Sequence, residues 1–201
     1  DNFQLNFKVK NYKKNLKNTQ FNIQNLKIYY DKSNKRALER LMSLAKKNAR
    51  DKGSQVITNM PEGRIKATLL DSKNNSLRAN LGLSGRSIQH FNSEYPSVDI
   101  RILGGDTFNG LSSFKLYRLE TKSGLKDFIF QSILKDMGFL VPRQEIIKLS
   151  VNGASKGLFL LMENFNESTF TKQHKMDGNV VGLNTSKLFY DYSSGSELDL
   201  D

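Results

Sequence analysis

The sequence predicts an α+β fold, a mostly antiparallel sheet with packed helices, and three observations carry that expectation. Short runs alternate apolar and polar residues at strand period, an Asn-Gly pair joins two such runs, and two longer segments carry apolar residues at helical spacing. With 201 residues, 37% of them hydrophobic, the chain suffices for one folded domain or two small lobes.

Taken in order, Phe3, Leu5, Phe7 and Val9 alternate with polar residues as a strand does, and 11–20 is a polar Lys/Asn loop. Residues 25–30 form a second strand. Ser33 then caps a helix that turns Leu38, Leu41, Met42, Ala45 and Ala49 inward and ends at Gly53. Its Lys35, Arg36, Arg40, Lys46, Lys47 and Arg50 fall on a solvated face. Strands at 64–70 and 77–83 make a hairpin across an Asn- and Ser-rich turn, and 98–103 and 114–119 follow as two more, separated by a Gly104-Gly105-Asp106 turn.

A second helix starts from Ser123 and closes at Gly138, just before Pro142; Leu125, Phe128, Ile129, Ile133 and Met137 make a broad apolar face. Phe128 and Phe130 read as core. Strands at 145–151 and 155–162 join through Asn152-Gly153, a pair that suits a tight hairpin. The run 158–162 lacks alternation, which places it mid-sheet with both faces covered. A short helix at 166–175 and a short strand at 179–183 are expected next. The tail 191–201 carries four acids and no base, as a linker or the start of another lobe would. The expected organisation is a basic strand/helix region over 1–63, a sheet lobe over 64–165, and the start of a second lobe or a linker over 166–201.

Charge is concentrated at one end. The net +11 comes from 14 Lys/Arg against 4 Asp/Glu over residues 1–53, and 17 against 16 in the rest. Such a region suits an acidic protein partner, anionic lipid or nucleic acid. Lys outnumbers Arg 22 to 9, which does not suit bidentate base reading, and no aromatic-interleaved basic motif supports RNA or single-strand binding, so specific nucleic-acid recognition is not supported. Zero cysteines exclude a disulfide scaffold and a thiolate zinc site. The longest apolar run, 158–162, is far short of the roughly 18 residues of a spanning helix. The start at Asp1, with no initiator Met, suits a segment whose upstream signal or anchor has been removed, and a cell-envelope or extracytoplasmic setting is compatible with that.

Standard catalytic motifs are missing. His90 and His174 are the only histidines and no HExxH occurs; Gly85-Arg86-Ser87 looks like a nucleophile turn, but Gln89 stands where its second glycine belongs. Neither a Walker phosphate loop nor a dinucleotide-binding glycine fingerprint is present.

What does stand out is an order of pieces: 81–91 with its Gly-Arg-Ser turn, Arg101-Ile102, Phe108-Asn109-Gly110-Leu111, Phe114-Lys115-Leu116-Tyr117-Arg118, and a helix around Asp127-Phe128-Ile129-Phe130 with Leu134 and Gly138. Val151-Asn152-Gly153, Gly157-Leu158-Phe159 and Met162-Glu163 complete it. Over roughly residues 64–184 this order resembles the spore coat protein H (CotH) family of atypical kinases. The resemblance implies a kinase-like N-terminal lobe, an ATP-dependent transfer of phosphate to Ser or Thr of a protein, and ATP and Mg as cofactors, with the metal ligands outside this segment. It also implies nucleotide-binding roles for Gly85, Arg86, Ser87, Arg101, Lys115, Asp127, Met162 and Glu163.

Gly85 would let backbone N–H groups approach phosphate oxygens and Arg86 would add a cationic fork; the alternative is an ordinary tight turn with a surface arginine. Arg101 and Lys115 would hold phosphates or be plain strand charges. Asp127 would orient a cation or face water. Met162 and Glu163 would lead into the second lobe past the adenine edge, or the Glu163 side chain would only cap the strand exit. Where many family members read Pro-Lys-Lys-Ser-Tyr-Arg, this chain has Pro96-Ser97-Val98-Asp99-Ile100-Arg101, losing both lysines. No catalytic acid followed by a metal-binding Asn or Asp occurs after Glu163. The alternative function is a non-catalytic coat or envelope protein that holds an acidic partner through its basic N-terminal region.

Overall fold

The computed structural model describes residues 23–50, 53, 55–57, 59–122, 125–165 and 169. The expected strands at 3–9 and 179–183, the helix at 166–175 apart from Thr169, the capping Ser123 and the acidic tail lie outside those residues. Among the described residues, seven strands and two helices follow in the order β1 (Gln24–Tyr29), α1 (Lys32–Arg50), β2 (Ile65–Leu70), β3 (Ser76–Leu83), β4 (Val98–Ile102), β5 (Ser113–Arg118), α2 (Lys126–Asp136), β6 (Gln144–Val151) and β7 (Ala154–Glu163). Single 3₁₀ turns at Ile88–Phe91 and Leu119–Lys122 complete the set. The α+β class holds. The sheet, however, closes on itself as a barrel ordered β1-β2-β3-β4-β5-β7-β6, because β1 pairs antiparallel with β2 and parallel with β6. Strand β1 therefore comes from the basic N-terminal region yet completes the barrel.

Alternation along the strands fills the interior. Leu26 and Ile28, Ile65 and Leu69, Leu77, Ala79 and Leu81, Val98, Ile100 and Ile102, Phe114 and Leu116, Ile147, Leu149 and Val151, and Phe159 and Leu161 all point inward and are buried. Phe114 is fully buried, with the Phe108 ring 5.5 Å away between centroids. The hairpin tip is locked by Asn152 (φ 47) and Gly153 (φ 84), a left-handed pair. Asn152 also donates its N–H to Ile28 O (2.8 Å) and accepts the Tyr30 N–H on its side chain (3.0 Å), which ties the tip to β1. Strand β7 is central as expected, between β5 and β6, and Phe159, Leu160 and Leu161 are buried, although Leu158 is exposed.

Helix α1 buries Leu38, Ala45 and Ala49, as its spacing requires, but its cap is Asp31 and not Ser33: the Asn34 N–H donates to Asp31 Oδ1 at 2.7 Å. A second correction concerns α2. Its apolar face does not enter the core, and Leu125, Ile129, Phe130, Ile133 and Met137 are all about half exposed or more. Periodicity identifies an apolar stripe but not what covers it. Removing the Phe114 ring should thus cost about 3–5 kcal/mol, while Phe130→Ala should stay within ~0.5 kcal/mol, both read from urea unfolding. Comparable losses would mean that α2 packs elsewhere. No helix among the described residues is long and apolar enough to cross a membrane.

Candidate functional site

Two strands and a turn build a cationic cleft on the outer face of the barrel. Because side chains alternate, the register that sends Ile100 and Phe114 inward sends Asp99, Arg101 and Lys115 outward. Asp99 stands opposite Lys115, and Lys115 opposite Met162. The turn after β3 brings Ser84, Gly85 and Arg86 to one end of this face; Asn164 and Phe165, past the end of β7, come in from the side. Together with Arg101 and Lys115 these residues line an open cleft of about 800 Å³.

Electrostatics divides the charges into committed and available ones. Asp99, 13% exposed, pairs with Arg64 Nη2, accepts the Asn164 amide at 2.8 Å on Oδ1, and has Arg101 Nε 3.9 Å away. Arg64 also donates to Asp99 O at 3.3 Å. Thus Asp99 fastens β4 to the segment before β2 and to the exit of β7. Lys115, its cross-strand neighbour, makes no ion pair within the described residues. Arg101 is mostly exposed. Arg101 and Lys115, beside one carboxylate already committed to Arg64 and Asn164, give the cleft a cationic lining suited to a polyanion. Asp99→Ala should lower stability by about 1–2 kcal/mol, since Arg64 and Asn164 lose their acceptor, with Asp99→Asn recovering part of the loss in urea titrations.

Gly85 is required for two reasons. Its φ is +90°, and a Cβ there would lie 2.3 Å from His90 Cγ and Cδ2. The His90 ring is the floor of the turn: it is buried, hydrogen bonded through Nδ1 to Ser97 Oγ at 2.9 Å, and 5.5 Å from the Tyr117 ring between centroids. Ser84 N–H donates to Ser97 O (3.0 Å) and Ser84 Oγ to Tyr117 Oη (3.3 Å), so the turn is fixed from below. Ile57 N–H donates to Arg86 O at 2.6 Å and fixes it from the side.

Of the eight residues singled out in the sequence, the structure gathers Gly85, Arg86, Arg101 and Lys115 in the cleft lining. Ser87 lies just beside it and caps the 3₁₀ turn, accepting the Gln89 N–H. Met162 shares the outer face with Lys115 but accepts the Gln144 amide through its sulfur at 3.5 Å. The Glu163 side chain turns the other way: it is buried, accepts the Arg143 N–H at 3.2 Å, and lines a separate cavity. Asp127, on α2, lines neither. Sequence reading missed Arg64, Asp99 and Asn164 as one network and His90 as a support; only register brings them together, and no short motif marks them. Among the described residues no group of three or more His, Cys, Asp or Glu is placed to hold a metal ion.

Comparison with known families matches residues 101–199 to the family described as CotH kinase protein. The matched span includes Arg101, Lys115, Asp127, Met162 and Glu163, while the Gly85-Arg86-Ser87 turn precedes it. No curated protein matches the chain.

Proposed function

We propose, with residues 101–199 placed in the CotH kinase protein family, that this chain supplies the nucleotide-covering lobe of an ATP-dependent protein kinase that phosphorylates Ser or Thr. The observation that carries the reading is the convergence of Arg86, Arg101 and Lys115, from one turn and two strands, on a single cleft, with Lys115 unpaired within the described residues. Strand order supports it. Within the barrel, β3-β4-β5-β7-β6 run side by side, with a glycine turn between the first two and a helix between β5 and β6; the lysine lies on the third. A kinase lobe places its phosphate-covering glycine loop and its phosphate-binding strand lysine in the same relative positions.

In this reading residues 64–165 form the sheet lobe, completed by β1, and 166–201 begin the second lobe. Lys115 and Arg101 hold the triphosphate oxygens, Arg86 closes over them from the turn, and Asn164 and Phe165 stand where the chain leaves for the second lobe. The cleft volume lies within the ordinary range for small-molecule sites, and its cationic lining fits a triphosphate. The described residues do not fit magnesium, since their one carboxylate in the cleft is committed to Arg64 and Asn164. Their work is to bind and orient the nucleotide, and the acid that takes the acceptor's proton is assigned outside them.

Calorimetric titration tests this. ATP and inorganic triphosphate should both bind, more weakly as salt rises, with adenosine far weaker. Equal affinity for ATP and adenosine would contradict a site built on phosphate contacts.

A further inference from the structure

A groove of about 380 Å³ runs between α1 and the chain entering β2. Its floor is aliphatic, made by Ala37, Leu41 and Leu44 of the helix and by Gly63 and Ile65 on the strand side. Gly63 brings the two sides close together, since a Cβ there would lie 3.0 Å from Leu41 Cδ2. Leu44 is 42% exposed, so part of that floor is open to a ligand. Arg36 and Arg40 rim the groove, are exposed, and make no ion pair among the described residues. Arg64 also lines it, but Asp99 holds its guanidinium. Helix α1 carries seven Lys/Arg against one acid, Glu39, which lies 3.9 Å from Lys35.

An aliphatic floor beside two uncommitted arginines selects for shape as well as charge. We propose that this groove docks an extended acidic segment of a protein partner, one in which carboxylates alternate with leucines. Arg36 and Arg40 are about one helical turn apart, roughly 6 Å along the axis, and alternate residues of an extended chain are separated by about 6.6–6.8 Å. Carboxylates at i and i+2 therefore reach both arginines, and the leucines between them turn to the aliphatic side. Nucleic acid is a poorer occupant, because no aromatic ring lines the groove to stack on a base. A bilayer is poorer too: it takes up a protruding apolar face, and these leucines lie in a recess between helix and strand. Neither arginine lines the nucleotide cleft, so the proposal does not depend on that site.

Fluorescence anisotropy with two labelled peptides of equal charge, Asp-Leu-Asp-Leu-Asp and Asp-Ser-Asp-Ser-Asp, tests this. The leucine peptide should bind saturably, and the serine peptide about tenfold more weakly, for want of buried aliphatic surface. Arg36→Glu combined with Arg40→Glu should weaken the leucine peptide by more than about tenfold through like-charge repulsion, and leave ATP affinity unchanged. Lys46→Glu, on the same helix but outside the groove lining, should change it by less than about threefold. Equal affinity for the two peptides, or equal losses from Lys46→Glu and the arginine pair, would reduce the groove to a diffuse basic surface and overturn the proposal. Phosphatidylserine vesicles that bind through Arg36 and Arg40 while the leucine peptide does not would overturn it in favour of lipid. A leucine peptide that binds more tightly once Leu198→Ser and Leu200→Ser are introduced would make the chain's own 197–201 the occupant and overturn the partner reading. The comparison of the two peptides needs no variant, so poor folding of a substituted chain does not protect the idea.

Discussion

Lys115→Ala lowers the affinity of the chain for ATP by roughly ten- to a hundredfold, because the cleft loses a charge-assisted contact worth about 1.5–3 kcal/mol. Arg101→Ala acts in the same direction, and the pair together should abolish measurable binding at physiological salt. Neither change should alter folding much: Arg101 is mostly exposed and only 3.9 Å from Asp99 Oδ2, and Lys115 has no ion pair among the described residues to lose. The split between affinity and stability separates a ligand role from a structural one. A variant that binds ATP as tightly as the parent would remove Lys115 from the triphosphate site.

Gly85→Ala has the largest expected effect on folding. Alanine at φ +90° costs about 1–2 kcal/mol on conformational grounds. Displacing the buried His90 ring, 2.3 Å from the new Cβ, adds about 1–3 kcal/mol, for a total near 3 kcal/mol. Gly153→Ala is the matched control, since its φ is +84° and nothing lies within 4 Å of a Cβ there. That change should cost only about 1 kcal/mol. The difference between the two, read from urea midpoints at constant slope, isolates the His90 contact. In a His90→Ala background the gap should narrow. Equal losses at positions 85 and 153 would show that the ring is not beneath the turn.

How much of this was legible in the sequence depends on the range of the interaction concerned. Strands β1 to β7 follow from alternation and from turn residues, and Asn152-Gly153 marks its hairpin, because those signals act over a few residues. Barrel closure was not legible, since it rests on β1 meeting β6 across more than 120 residues. The exposed face of α2 was misread for a related reason. The spacing of Ile129, Ile133 and Met137 specifies a stripe, while its cover depends on tertiary placement. Among site residues, Gly85, Arg86, Arg101 and Lys115 could be chosen by residue type and the order of pieces. Arg64, Asp99 and Asn164 could not, because their network joins positions 35 and 65 residues apart. Glu163 shows the limit of position alone: one residue along β7 decides whether a side chain meets the cleft or the opposite cavity.

The central claim is that the outer face of β4 and β5, together with the Gly85 turn, receives a triphosphate. Backbone amide shifts of the ¹⁵N-labelled chain titrated with ATP test it most directly. Saturable shifts should gather at Gly85, Arg86, Arg101, Lys115 and Asn164 and leave the exposed basic face of α1 unmoved. Shifts confined to Lys35, Arg36 and Arg40 on that helix, or none that saturate, would contradict the account.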